Sequence, residues 1–152
     1  MTPSTQDARA TGLVELAVRC EQATGADAPL ERALIREAWD GCYPAPKSAW
    51  RAAVGFNDEW HAWNRNRAKV RRWLAAGASL DAARSLIGKD AFWRLGNDGE
   101  GPDVSAFKAT VTSGDGPTLT FHDAVAAAPA LALTAAALRA LAASTKDQPH
   151  DA

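Results

Sequence analysis

The run Trp60-His61-Ala62-Trp63-Asn64-Arg65-Asn66-Arg67-Ala68-Lys69-Val70-Arg71-Arg72-Trp73 is where residue types and spacing could do chemistry. It holds five basic side chains and no acid. Aromatic rings interleaved with cations suit two kinds of partner. On single-stranded nucleic acid, bases stack on the rings while guanidinium groups take phosphates. On a protein, buried Trp and Arg anchors carry most of the binding energy. The same spacing also describes an amphipathic helix, with Trp60, Trp63 and Val70 inward and Arg65, Lys69 and Arg72 in solvent. The candidate partner-binding residues are Trp60, Trp63, Arg65, Arg67, Lys69, Arg71, Arg72 and Trp73.

The remaining reactive side chains suggest less. His61 follows Asp58 and Glu59, which read as helix-start acids beside a surface imidazole. Asp98, Glu100 and Asp103 sit in a glycine-rich turn whose spacing fits no EF-hand. Cys20 falls on an apolar helix face and reads as core, whereas Cys42 follows Gly41 and reads as an exposed loop thiol with no base beside it. His122 alternates outward on an expected strand. Spacings for a catalytic triad, a phosphate-binding loop or a zinc site are absent. The expectation is a protein without catalytic residues, metal or cofactor.

The 152 residues fit one domain, and 17 Lys+Arg against 18 Asp+Glu give a net charge of −1. That balance excludes an acidic nucleic-acid mimic and a globally basic binder. Residues outside 60–73 carry a net −6, which opposes a long phosphate backbone but not a local protein contact. Alanine is the compositional outlier at 35 residues, and 12 Arg against 5 Lys suggests a GC-rich genome. The N-terminus has neither a basic start nor an apolar run, so no signal peptide is expected. The weakly polar stretch 124–143 is mostly alanine, contains Pro129 and Arg139, and reads as a buried helix rather than a membrane span. A bacterial cytoplasm with reduced thiols is the expected compartment.

Positioning elements follow from periodicity. Residues 1–10 are expected to be disordered. Helices are predicted from Leu13 to Ala23, from Pro29 to Gly41, over 58–76, from Leu80 to Ile87 behind a Ser79 cap, and from Pro129 to about Ala143. Between the last two, a period of two predicts strands at Ala91–Leu95, around Phe107–Val111 and at Thr118–His122. Phe107, Val111, Leu119 and Phe121 are expected to share the face covered by Leu131, Leu138 and Leu141. The domain is expected to span 11–143, with a Trp/Arg-rich segment over 42–77 and a disordered tail at 144–152. The fold class is α+β, an α-β-α layered domain with a small antiparallel three-stranded meander covered by the N- and C-terminal helices.

Three stretches resemble the phage ABA sandwich family of small phage and prophage proteins: Glu15–Asp27 with the helix to Trp39, Ala78–Ala83, and Pro129–Ala140. Ala128 stands where members carry a hydroxyl cap, and Cys42–Leu74 is longer than the pattern. The resemblance implies α-β-α layers, a phage origin and an extended run before the central helix, against the helix that periodicity predicts over 58–76. It implies no established activity. The combined expectation is a non-enzymatic accessory protein binding a host macromolecule, for instance a component of a defence system. Nucleic-acid or nucleotide binding through 60–73, or a structural role in the phage particle, are the alternatives.

Overall fold

The computed structural model of the chain describes residues 4–23, 27–46, 58–98 and 106–147. Its elements are α1 (Thr5–Gln22), α2 (Ala28–Cys42), α3 (Asp58–Ala75), α4 (Ser79–Arg84), β1 (Trp93–Asn97), β2 (Phe107–Ser113), a 3-10 turn (Gly116–Thr118), β3 (Thr120–Ala126) and α5 (Pro129–Asp147). The strands form an antiparallel sheet in the order β1-β2-β3. The class is α+β, with helices flanking a small meander.

Helix α5 is the centre of the packing. Every residue from Ala130 to Leu138 is buried, and nearly all are alanine or leucine. It lies on β2 and β3 with one side and on α1 with another. Alanine keeps those neighbours close, because interaxial distance follows the side chains at the contact. The one hydroxyl in this stretch, Thr134, donates to the Ala130 carbonyl at 2.7 Å and so brings no unmet polar group into the core. Further along, Arg139 pairs with Glu21 of α1.

Helix ends account for several departures from expectation. Residues 4–10 are not a disordered arm. Ser4 Oγ accepts from the Asp7 amide at 3.1 Å and donates to its carboxylate, so α1 starts at Thr5 and Ala10 is fully buried. Gly41 does not stop α2, which continues to Cys42. Gly77 does stop α3: at φ 80° it sets a Schellman turn in which the Ala78 amide reaches the Trp73 carbonyl at 2.8 Å. Ser79 is the first helical residue of α4 rather than its cap, and α4 ends at Arg84 instead of Ile87. Helix α5 continues past Ala143, with Ser144 and Thr145 hydroxyls bonded back to the Ala140 and Leu141 carbonyls. Residues 58–75 are helical, as periodicity predicts and against the extended run implied by the family resemblance.

The sheet corrects one strand's phase. Phe107 and Val111 face α5 as expected, but Leu119 and Phe121 are exposed, at 44% and 61%. The register Val111↔His122, Ala109↔Ala124 and Phe107↔Ala126 puts Ala124 and Ala126 under the helix. Small residues are what a closely packed α5 admits there, and a slip of one residue reverses a whole strand. Trp93 and Leu95 of β1 complete this inward face.

Leu138 is fully buried within α5. Leu138→Ala is expected to lower stability by about 2–5 kcal/mol in a denaturant titration. A change within error would mean that α5 is not docked.

Candidate functional site

Helix α3 packs against α2 and α4 and touches neither the sheet nor α5. Its inward stripe is Trp63, Arg67, Val70 and Leu74, at helical spacing. Val70 and Leu74 are buried. Trp63 is half-buried and donates from Nε1 to the Tyr43 carbonyl at 2.8 Å. Its ring lies 6.3 Å from that of Trp39, which in turn lies 5.4 Å from Tyr43. This aromatic stack joins α3 to the end of α2.

The five cations divide by their surroundings. Arg67 and Arg71 each come within 4.0 Å of the Asp40 carboxylate, and Arg67 also lies over the Trp63 ring at 5.5 Å. Lys69 is exposed, with its ammonium 4.9 Å from the centre of the Trp73 ring. Arg65 and Arg72 are exposed and have no ion-pair partner among the described residues. Trp60 is half-buried, edge-on to His61 at 5.3 Å. Beside this face, Trp39, Tyr43, Asn66, Lys69, Val70, Trp73 and Ser85 line an open cleft of about 270 Å³.

The eight candidate residues differ in their surroundings. Trp63 is bonded to α2's C-cap residue Tyr43, and Arg67 and Arg71 lie 4.0 Å from Asp40 with side chains 37% and 41% exposed. Arg65, Lys69 and Arg72 face solvent as expected, and Trp60 and Trp73 are half-exposed beside them. Arg67, which the amphipathic reading assigns to neither face, lies over the Trp63 ring with its Nε 4.0 Å from Asp40.

The other candidates are settled by their neighbours. Cys42 is buried at the end of α2, not exposed, and Arg9 donates to its carbonyl at 3.1 Å. Burial pushes both the Cys20 and Cys42 thiols up to about 12, so neither is nucleophilic near neutrality. His122 faces inward rather than outward. Its Nε2 is 2.7 Å from Ser113 Oγ, and burial, with Arg139 nearby, holds it below the usual imidazole range. Sequence reasoning missed this contact because it had the β3 phase reversed. In a nucleophile pair the imidazole is itself oriented by a third group. Asp123 instead engages Thr110 and Lys108. The contact satisfies two half-buried polar groups. Glu100 and Asp103 of the acidic turn lie outside the described residues, among which no group of three acids, His or Cys could hold a metal ion. No described helix is long and apolar enough to cross a membrane.

No family model, curated protein or solved structure matches the chain.

Both thiols should be inert to a disulfide-exchange reagent at pH 8 in the folded protein and react promptly once it is unfolded. Because folding raises their pKa, the unfolded chain loses those protons first. Stability is therefore full below the ordinary thiol range and should fall as pH climbs from there toward about 12. Fast native labelling at pH 8 would contradict the buried placement of Cys42.

Proposed function

We propose that this protein is a non-enzymatic accessory protein, of phage or prophage origin, that binds a host protein in the bacterial cytoplasm through the outer face of α3. The origin rests on the family resemblance of the three helical stretches. The binding face rests on one observation: among the described elements α3 packs only against α2 and α4, and Arg65, Lys69 and Arg72 on it are exposed. Trp60 and Trp73 stand half-exposed at its margins, next to a cleft that could take a partner's side chain. Cations beside half-exposed tryptophans form the composition that dominates protein hot spots. An acidic protein surface is the complementary partner.

Nucleic acid is the weaker reading. Two of the five cations, Arg67 and Arg71, lie 4.0 Å from the Asp40 carboxylate. What is left is a short cationic patch on a chain whose other residues sum to −6. Inhibition of a host defence system is one function such a binder would serve.

The test is affinity capture from a bacterial lysate with and without nuclease, comparing wild type with Arg65→Glu/Lys69→Glu/Arg72→Glu. Exposed charges carry about 0–1 kcal/mol each at most, so the triple variant should keep its circular dichroism and melting behaviour. The wild type should retain a protein after nuclease treatment and the variant should lose it. Tight binding of a single-stranded oligonucleotide that weakens steeply with salt and vanishes in the variant would overturn the proposal.

A further inference from the structure

We infer that the outward face of the sheet is where a second copy of this chain docks, as a two-fold pair with the axis running along β2. Antiparallel pairing arranges that face as three rows. The first row is Phe92, Thr112 and Phe121, where the Thr112 amide donates to the Phe92 carbonyl, the Phe92 amide donates to Thr112 Oγ1, and Thr112 is buried between the two rings' strands. The second is Arg94, Thr110 and Asp123, and the third is Gly96, Lys108 and Val125. Phe92 is 62% exposed and Phe121 61%, and Val125 is also exposed. Among the described helices, α5 contacts all three strands and α1 contacts β3, and the buried residues Ala109, Val111, Ala124 and Ala126 belong to the opposite set of the alternation. Clustered aromatic exposure of this kind on a sheet face marks an interaction site.

The rows say which partner. Rotation about β2 lays the β1 column of one copy over the β3 column of the other. Phe92 then meets Phe121, Arg94 meets Asp123, and Val125 meets the gap above Gly96. Aromatic faces aromatic, cation faces anion, and bulk faces space. Lys108 meets its own copy but lies 3.8 Å from its own Asp123, with a stem long enough to carry the charge to the rim. A nucleic acid fits poorly, because the Asp123 carboxylate stands in the middle row between Arg94 and Lys108, the cations of this face among the described residues. Sheets pack face to face about 10 Å apart, so the pair would be a four-layer assembly with both sheets inside. Strands of five to seven residues give a footprint of roughly 15 by 20 Å, well under the area of a standard interface. The dimer should therefore be reversible and dissociate on dilution. Helix α3 does not touch the sheet, so its outer face remains free in the pair.

Sedimentation velocity of the full chain over a micromolar-to-millimolar range tests this, with variants that keep the fold by circular dichroism. Wild type should shift from monomer to dimer with concentration. Phe121→Ser should be monomeric throughout. Arg94→Asp should weaken the dimer at least tenfold, and Arg94→Asp/Asp123→Arg should restore it, because the swapped charges face each other again. A wild type that stays monomeric at the highest concentration would overturn the inference. So would a dimer indifferent to Phe121→Ser, or a charge swap that fails to rescue.

Discussion

Close packing on alanine is the constraint from which the rest of this structure follows. Helix α5 is buried along Ala130–Leu138, with α1 on one side and the sheet on another. Such a helix meets its own backbone hydrogen bonds, so burying it costs little beyond ordering it. Its neighbours can come near only where they too are small. Ala109, Ala124 and Ala126 on the sheet and Ala10 and Ala17 on α1 are all buried. Larger side chains fill the rest of the same core: Leu131, Leu133 and Leu138 of α5 and Val111 of β2 are all buried.

The parts of the fold legible in the sequence are those where local chemistry and burial agree. Helix α2 has Pro29 in its first turn and an Asp27 cap on the Leu30 amide. Helix α3 has two acids in its first turn and Gly77 behind its last. Strand β2 alternates in sequence, and its Phe107 and Val111 face inward, although Thr112 is buried as well. Legibility failed where the large apolar residues were not the buried ones. The alternation of Leu119 and Phe121 with polar residues predicts a strand at Thr118–His122, whereas β3 runs Thr120–Ala126, Thr118 ends the 3-10 turn, and the inward residues are Ala124 and Ala126. The start of α1 was readable in principle: Ser4-Thr5-Gln6-Asp7 has the spacing of a capping box, hidden in a stretch whose composition resembles an unstructured arm.

The candidate site was legible as a helix and less so as a surface. Sequence spacing separates Arg65, Lys69 and Arg72 from the apolar stripe, and those three are exposed. It does not reveal that Asp40, on another helix, draws Arg67 and Arg71 inward. These contacts give the five cations two kinds of surroundings, with Arg67 and Arg71 beside Asp40 and Arg65, Lys69 and Arg72 in solvent. The two proposed contact faces sit on different layers of the molecule. A dimer formed through the sheets would present two copies of α3, and a weak contact made twice on a repetitive or dimeric target gains avidity without any new interaction.

Native-state hydrogen exchange resolved by residue tests the central role of α5 most directly. A helix buried among α1, β2 and β3 can open only when the domain unfolds. The amides of Ala132–Leu141 should be the slowest in the chain, with opening free energies equal to the global unfolding value. Those of α3, packed on α2 and α4 alone, should open earlier. Exchange of the α5 amides at free energies below those of α3 would contradict the account, because the element on which the core is built would then be the one least held by it.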